Sequence, residues 1–340
     1  MKKENASGEK KGKKKSKKGL KVFLCILAAL VLFFAVINLI PPKKVLEKNP
    51  FVKEESALPM IAAHRGGGIQ NPENTLKAYR AAVNDFGIDI CETDLWMTSD
   101  GHLVYSHDSS INRMACEEGA ETVTIAEHTL QELRQYNMGR NFKDPDTGAY
   151  IYRDATEEEQ EKLGLKILEF HELLEEFYDT KKDLLFIVEI KNGGEVGCKA
   201  AEIIDRTLTE RFPDYKQNLV VGTFHPEIEE DLQKNHPTVL RGASTSGAAK
   251  FVITQMLGVN LFAGTDFSCL QVPMSYTLKG VKLDLTWRTY IDRAHRMNIA
   301  VQYWTINDAD DMRFLIERNV DAIMTDDPLL LLKVLEEYKR

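Results

Sequence analysis

Short apolar runs and longer amphipathic segments alternate along the chain from residue 60 onward. The short runs are rich in β-branched residues and predict strands, whereas the longer segments repeat their apolar positions with helical spacing. The predicted strands are 60–65, 88–95, 102–107, 184–190, 219–224, 238–243, 299–305 and 321–325. The predicted helices include 74–86, 167–179, 195–211, 286–298 and 308–318. This alternation predicts an α/β fold, and eight strands predict a TIM-type (β/α)8 barrel.

Two segments interrupt the alternation. Residues 109–165 form a long insertion after the third predicted strand. Long ordered loops at the carboxyl ends of barrel strands usually serve the site, so we expect the insertion to select substrate or to act as a lid. Residues 259–280 read as strand-like and loop material, and the pattern assigns them no place in the barrel.

The N-terminal pattern is of another kind. Residues 22–40 form an uncharged run of 19 residues in which Asn38 is the only strongly polar position. As a helix, this run spans about 28 Å, close to the hydrocarbon thickness of a bilayer. A buried core helix is a poor alternative, because nothing near the N-terminus can cover a helix that is apolar all round.

Charge orients this segment. Residues 1–21 carry ten lysines against two glutamates, which predicts a cytoplasmic N-terminus with the rest of the chain outside the cell membrane. The length of the run and the lack of a small-residue cleavage site favour an uncleaved single-pass anchor over a cleaved signal peptide. We therefore expect a linker at 41–58 and a catalytic domain at 59–336. The acidic remainder of the chain argues against nucleic-acid binding.

Reactive side chains stand in pairs at the downstream ends of four predicted strands. They are His64 with Arg65, Glu92 with Asp94, His107 with Asp108, and Glu189 with Lys191. The carboxyl ends of barrel strands form the face that carries active sites. The pattern therefore predicts that these groups meet at one mouth.

The acids predict a metal site. Glu92 and Asp94 are two residues apart in a strand, so both side chains face the barrel interior, and Glu189 closes another strand. Three carboxylates in a confined mouth repel one another unless a cation neutralises them, and oxygen donors favour Ca²⁺ or Mg²⁺ over zinc. The alternative is an ion network in which the acids pair with Arg65 and Lys191 and hold the strand ends.

The histidines predict proton transfer. One histidine at a strand end is more often a hydrogen-bonded structural residue, but His64 and His107 together fit a general acid–base pair near neutral pH. Arg65 offers planar donors to a phosphate oxygen, and Lys191 is positioned to help. The backbone amides of residues 66–68 can also approach a phosphate closely, because glycine has no side chain to block them.

These motifs resemble the glycerophosphodiester phosphodiesterase family, and the resemblance covers nearly everything after residue 58. It rests on the segments 61–68, 72–75, 91–94, 105–108, 188–191 and 303–307. The resemblance implies that Glu92, Asp94 and Glu189 are the metal ligands. It also implies that His64 and His107 are catalytic.

The resemblance further points to three supporting residues. Glu73 and Asn74 belong to its Pro-Glu-Asn-Thr element, in which we expect Glu73 to hydrogen-bond near the active histidine. Asn74 either serves the site or, like Thr75, caps the next helix. Trp304 packs against the glycerol carbons of the substrate or fills a core position.

The implied reaction is metal-dependent hydrolysis of a glycerophosphodiester to sn-glycerol 3-phosphate and an alcohol. The glycerol C2 hydroxyl attacks phosphorus, with His64 assigned as base and His107 as acid, and water then opens the cyclic phosphate. The sequence alone does not determine which histidine is the base and which is the acid. Two alternatives stay open: a phospholipase D-type enzyme that forms cyclic phosphates from lysophospholipids or sphingolipids, and a surface barrel that binds without catalysis.

Overall fold

The computed structural model describes residues 12–259, 264–278 and 280–339. Its strands are β1 Met60–Ala63, β2 Ile90–Met97, β3 Leu103–Tyr105, β4 Leu185–Ile190, β5 Leu219–Thr223, β6 Leu240–Arg241, β7 Cys269–Val272, β8 Ser275–Leu278, β9 Val281–Asp284, β10 Ala300–Tyr303 and β11 Ala322–Thr325. Its helices are α1 Gly12–Leu39, α2 Leu76–Arg80, α3 Asn112–Ala115, α4 Leu130–Leu133, α5 Glu157–Leu163, α6 Phe170–Tyr178, α7 Gly194–Glu210, α8 Pro226–Asn235, α9 Thr245–Met256, α10 Arg288–Arg296, α11 Ala309–Glu317 and α12 Pro328–Glu336.

Eight of the described strands are parallel and follow one another around a barrel. They run in the order β1, β2, β4, β5, β6, β7, β10 and β11, and β11 pairs with β1. A single parallel bridge between Gly242 and Cys269 joins β6 to β7 and closes the barrel. Strands β8 and β9 form a separate antiparallel pair. The predicted TIM-type barrel is confirmed.

One predicted barrel strand is wrong. The segment 102–107 contains β3, which pairs antiparallel with the end of β2 through Leu95 and Tyr105 and is not a barrel stave. The missing barrel strand is β7, which lies in the segment 259–280 that the pattern did not place. The predicted helices correspond to α2, α6, α7, α10 and α11, whereas α8, α9 and α12 were not predicted.

Two apolar layers hold the barrel together. The larger lies between the outer face of the sheet and the surrounding helices, because the barrel strands are buried on both faces. The smaller fills the barrel itself and includes Ala62, Ile90, Ile187 and Val220. Such a barrel interior is a packed core rather than a pore.

The barrel floor is completed by the segment expected as a linker. Phe51 is fully buried and belongs to the cluster inside the barrel, with Leu46 and Val52 packed against it. Asn49 fixes this segment by donating to the carbonyl oxygens of Ser268, at 2.8 Å, and Asn298, at 2.9 Å. Residues 46–52 therefore pack as part of the barrel and do not form a free stalk.

Helix α1 meets the length and composition of a membrane span. The candidate span is Lys18–Leu39, 22 residues near the N-terminus, and only 6% of its most apolar 18-residue stretch is buried against the rest of the chain. An apolar helix with so little protein around it differs from a core helix of a soluble domain.

Candidate active site

The turn after β1 presents His64. Its Nδ1 atom lies 2.5 Å from Oδ1 of Asp326, and its Nε2 atom lies 3.9 Å from Oε2 of Glu92. Asp326 follows β11, the strand beside β1, so neighbouring strand ends bring the pair together. Burial opposes protonation of His64, but the carboxylates of Glu92 and Asp326 outweigh it and raise the pKa of the imidazole above its ordinary value.

Asp326 is itself held in place. Asn307 donates from its side-chain nitrogen to Oδ2 of Asp326 at 2.7 Å. The side-chain oxygen of Asn307 accepts the backbone N–H of Asp326 at 2.9 Å and the hydroxyl of Thr325 at 3.0 Å. These bonds fix the carboxylate that orients His64, a role that the sequence pattern did not reveal.

The glycines beside His64 are required by close packing. Gly66 and Gly67 both have φ of +84°, and a Cβ at Gly66 would come within 2.9 Å of the Ala78 side chain. Arg65 also lies in the left-handed region, with φ of +53°. The Gly67 N–H donates to the His64 carbonyl at 2.9 Å, so this amide stabilises the turn and is not directed at a phosphate. The glycines thus allow the tight turn that presents His64 and Arg65.

The acids of β2 and β4 meet as predicted, together with two cations. Glu92 and Asp94 are 5% and 1% exposed, which is rare for carboxylates. Lys191 Nζ lies 2.9 Å from Asp94 Oδ1 and 2.8 Å from Glu189 Oε1, and Arg65 Nε lies 3.3 Å from Asp94 Oδ2. Both predicted phosphate-binding cations are therefore paired with acids, which is the ion network weighed as the alternative.

Negative charge still exceeds positive charge in this cluster. Burial, followed by the charge of Asp94, raises the pKa of Glu92 to about 8. Burial also raises the pKa of Glu189 above its ordinary value, although Lys191 opposes the shift. Oδ2 of Asp94 is buried and makes no hydrogen bond among the described residues, although the charged guanidinium of Arg65 lies 3.3 Å away. The carboxylates are therefore incompletely compensated by the protein itself.

His107 stands at the same mouth. The N–H of Ser106 donates to the carbonyl of Asp94 at 3.0 Å, and the indole of Trp96 donates to the carbonyl of His107 at 3.1 Å. These bonds tie the residues after β3 to the end of β2. Nδ1 of His107 lies 2.9 Å from Oδ1 of Asp108. The antiparallel strand thus delivers the second histidine to the site, although it is not a barrel strand.

Arg113 links the two halves of the site. It donates from Nε to Asp108 at 2.7 Å and from Nη2 to Glu73 at 2.6 Å. Glu73 in turn accepts from Arg65 at 3.2 Å. Glu73 thus hydrogen-bonds beside His64, through Arg65, and bridges two arginines. Arg113 lies in the insertion, and the sequence pattern did not single it out.

The structure shows which of Asn74 and Thr75 caps the next helix. The hydroxyl of Thr75 accepts the N–H of Ala78 at 3.3 Å and caps α2. Asn74 has φ of +55°, and its side-chain oxygen accepts the hydroxyl of Tyr79 at 2.8 Å. Its Nδ2 atom is buried and unpartnered within the described part of the chain. Asn74 is therefore not the helix cap.

Trp304 follows β10 and is partly buried against the apolar cluster inside the barrel. Its ring meets Phe224, which follows β5, edge to face at a centroid distance of 6.5 Å. Phe224 is 60% exposed, so the pair offers apolar surface to solvent. Trp304 therefore packs in part against the core, as one of the two expectations had it, while contact with the glycerol carbons stays a prediction.

Comparison with known proteins identifies the family. The model of the glycerophosphoryl diester phosphodiesterase family matches residues 64–330, which span every polar residue described above. The chain belongs to the glycerophosphoryl diester phosphodiesterase family. A glycerophosphodiester phosphodiesterase of Caldanaerobacter subterraneus subsp. tengcongensis is 23% identical over 278 residues, covering 82% of this chain and 98% of the relative.

Solved structures of glycerophosphoryl diester phosphodiesterases share the fold. The phosphodiesterase domain of a Mycobacterium tuberculosis protein superposes with a TM-score of 0.65 at 19% identity, covering 83% of this chain and all of that domain. An Oleispira antarctica phosphodiesterase, solved in complex with the product sn-glycerol-3-phosphate, superposes with a TM-score of 0.59 at 20% identity and covers 82% and 97%. These likenesses confirm the barrel.

The carboxylates fit a hard divalent cation by chemistry. In residues 12–259, 264–278 and 280–339, no three acidic, histidine or cysteine side chains already surround a common centre, since Lys191 lies between Asp94 and Glu189. However, burial and the charge of Asp94 raise the pKa of Glu92, so further positive charge beside this carboxyl would favour its ionised form. Glu92, Asp94 and Glu189 supply the oxygen donors that Ca²⁺ and Mg²⁺ prefer.

Proposed function

We propose that this chain hydrolyses glycerophosphodiesters to sn-glycerol 3-phosphate and an alcohol, with His64 and His107 as the proton-transfer pair. The observation that carries the proposal is the matched setting of the two histidines. Each has Nδ1 against a carboxylate. His64 also lies 3.9 Å from Glu92, and the charge of His107 acts on Glu189, so both are near the acidic cluster. Family membership and the product bound to the Oleispira antarctica relative support this chemistry.

In the first step, Nε2 of His64 accepts the proton of the glycerol C2 hydroxyl. The C2 oxygen forms a bond to phosphorus, and the bond from phosphorus to the alcohol oxygen breaks. Nε2 of His107 donates a proton to that leaving oxygen. Asp326 supports the base, because its carboxylate fixes the ring and stabilises the imidazolium that forms.

In the second step, water opens the cyclic phosphate and the roles reverse. His107 takes a proton from water, the water oxygen bonds to phosphorus, and the bond to the C2 oxygen breaks. His64 returns its proton to the C2 oxygen. The products are sn-glycerol 3-phosphate and the alcohol, and both histidines regain their starting protonation.

Arg65 and Lys191 are the proposed partners of the phosphoryl oxygens. Both now contact Asp94, so we propose that part of this pairing is exchanged for substrate. A cation at Glu92, Asp94 and Glu189 would neutralise phosphoryl charge and stabilise the transition state. We place Trp304 beside the glycerol carbons, and Glu73 and Asn74 as supports of the turn that carries Arg65.

We further propose that α1 anchors the enzyme in the cell membrane, with residues 1–21 in the cytoplasm and the barrel outside. The support is the 22-residue apolar span Lys18–Leu39 and the lysine-rich flank before it. In this arrangement residues 41–58 connect the anchor to the barrel and residues 109–165 form the insertion at the mouth.

The test is turnover by the full chain in detergent micelles, followed by ³¹P NMR. We expect sn-glycerol 3-phosphate from glycerophosphocholine, and loss of turnover in EDTA that Ca²⁺ or Mg²⁺ restores. The variants His64→Ala and His107→Ala should each lose about 10²- to 10⁴-fold in kcat, the usual contribution of one general acid or base.

The matched control is His171→Ala, since His171 lies on α6 and pairs with Glu169 at 3.3 Å. It should retain its activity. A cyclic phosphate formed only from lysophosphatidylcholine would support the phospholipase D alternative instead. Absence of turnover on every diester would support the alternative of a barrel that binds without catalysis. Near-full activity of His64→Ala or His107→Ala would contradict the role proposed for that histidine.

A further inference from the structure

The C-terminal end of α1 is attached to one end of the barrel. Asn38 donates to the carbonyl of Gly258 at 3.0 Å and accepts from Arg293 at 3.2 Å. Arg296 donates to the carbonyl oxygens of Asn38, at 3.3 Å, and Ile40, at 3.4 Å. A cation at a helix C-terminus also complements the helix dipole. These contacts fix the end of α1 beside the ends of α9 and α10.

That end of the barrel is opposite the catalytic mouth. The helices of a (β/α)8 barrel run antiparallel to its strands, so their last turns lie beside the strand starts. His64 and Asp326, by contrast, directly follow the carboxyl ends of β1 and β11. Helix α1 is exposed from Lys18 to Val36 and is buried only at Ile37. It therefore projects from the barrel floor and does not lie along the barrel wall.

The end of α9 carries an exposed apolar face beside this attachment. Ile253, Met256 and Leu257 are 49%, 60% and 61% exposed, and their spacing places them on one side of the helix. Phe251 lies on the opposite side of the helix, and both Phe251 and Val252, at the edge of the exposed face, are buried. The exposed three are thus not needed for the fold of the domain.

Two further observations show what this face meets. A Cβ placed at Gly258, the next residue, would lie 3.6 Å from Asn38 and 3.7 Å from Phe34, so the apolar face is continuous with the last turns of α1. One helical turn towards the mouth, Lys250 is exposed on the same side of α9. At a membrane interface, apolar side chains lie in the acyl layer and lysines reach the headgroups. The apolar end of α9, with Lys250 one turn closer to the mouth, has this arrangement.

We infer that Ile253, Met256 and Leu257 rest in the interfacial layer of the membrane that α1 spans, so that the barrel stands on its floor with the mouth facing away from the bilayer. This inference rests on the membrane anchoring proposed above. It narrows the substrate to diesters that reach the mouth from the aqueous side. A lipid in the bilayer under the barrel floor lies at the wrong end of the barrel.

The experiment measures depth with a spin label on the full chain in phosphatidylcholine liposomes. Labels are placed by Leu257→Cys and, as the matched control, by Ser246→Cys in the first turn of α9. The two positions are eleven residues apart, about 16 Å along a helix. The background carries Cys25→Ser and Cys198→Ser, since the remaining cysteines Cys91, Cys116 and Cys269 are buried.

We expect the ratio of relaxation by oxygen to relaxation by a water-soluble nickel chelate to exceed unity at residue 257 and to fall below unity at residue 246. A ratio below unity at both sites, in chains that sediment with the liposomes, would overturn the inference. Protection at residue 257 that depends on the protein-to-lipid ratio would indicate a second copy instead and would also overturn it. The proposed function is tested by other readouts. Absent turnover of glycerophosphocholine would contradict the proposed reaction, and chains that do not sediment with the liposomes would contradict the proposed membrane anchor.

Discussion

Both candidate histidines are oriented by a carboxylate that is itself held by another side chain. Asp326 holds Nδ1 of His64 and is fixed by Asn307, at 2.7 Å. Asp108 holds Nδ1 of His107 and is fixed by Arg113. Such support favours one tautomer and fixes the orientation of the ring. The two rings are thus held by similar means, as the proposed proton-transfer pair requires.

Asp326→Asn should change the pH dependence of kcat/KM. The negative charge of Asp326 helps to raise the pKa of His64, and a base works only when it is deprotonated, so activity should rise with pH through that raised pKa. Removing the charge lowers the pKa. The acidic limb of the profile should therefore move to lower pH, while the maximal rate falls because the imidazolium loses its partner.

Asp327→Asn is the matched control, because it removes the same charge from the adjacent residue. Asp327 accepts from Leu330 and Gln70 and caps α12. The acidic limb of the kcat/KM profile of Asp327→Asn should coincide with that of the unmodified enzyme. An unmoved limb in Asp326→Asn, or equal movement in both variants, would show that Asp326 does not tune His64.

Local motifs point to the candidate catalytic residues but not to the residues that hold them. His64 and Glu92 were found because a reactive side chain at the end of an apolar run is visible within a few positions. Asp326 contacts His64 across 262 positions, and no local pattern marks such a contact. Arg113 lies in an insertion without clear periodicity. Its signal was only its distance of five residues from Asp108.

At the scale of elements, the hydrophobic pattern predicts the right number of barrel strands, eight, but one of the predicted strands is not in the barrel. Leu103–Tyr105 reads as a barrel strand because all three residues are apolar and buried, and the pattern does not record that it pairs antiparallel. The barrel strand that the pattern misses, β7 at Cys269–Val272, has only four residues and includes Gln271, so its apolar signal is weak. Strand direction and closure depend on partners far away in the chain.

The segment before β1 is predicted to stabilise the barrel although its sequence resembles a linker. Phe51→Ala would remove a fully buried ring from the barrel interior. We expect the free energy of unfolding to fall by about 3–5 kcal/mol, as for other buried Phe-to-Ala changes. Urea denaturation of the full chain in detergent micelles, followed by tryptophan fluorescence, measures it.

Val52→Ala is the control for this prediction, since Val52 is the next residue and only partly buried. Val52→Ala should lower the free energy of unfolding by clearly less than Phe51→Ala does. Equal losses in the two variants would mean that Phe51 does not close the barrel floor. The same argument sets the domain boundary: a soluble fragment that begins at residue 59 should be unstable, because it lacks this ring.

At the scale of the whole molecule, the site is coupled to folding through its acids. Glu92 has a pKa of about 8 in the folded chain, against about 4.5 for an ordinary glutamate. Between these values the folded state holds a proton that the unfolded state has lost. The free energy of unfolding of the metal-free enzyme should therefore decrease as pH rises from 5 to 8, by up to about 1.4 kcal/mol per pH unit.

A bound cation should reverse this trend. It requires ionised carboxylates, so it displaces the proton of Glu92 and stabilises the folded state more strongly as pH rises. Urea denaturation of the full chain in micelles, with EDTA or with Ca²⁺ from pH 5 to 8, measures both slopes. Glu92→Gln should flatten the slope in EDTA and weaken the Ca²⁺ effect, whereas Glu117→Gln, at an exposed carboxylate in the insertion, should change neither. If Ca²⁺ and Mg²⁺ left the unfolding curves of the unmodified enzyme unchanged at pH 8, the acidic cluster would be an ion network with Arg65 and Lys191 and not a metal site.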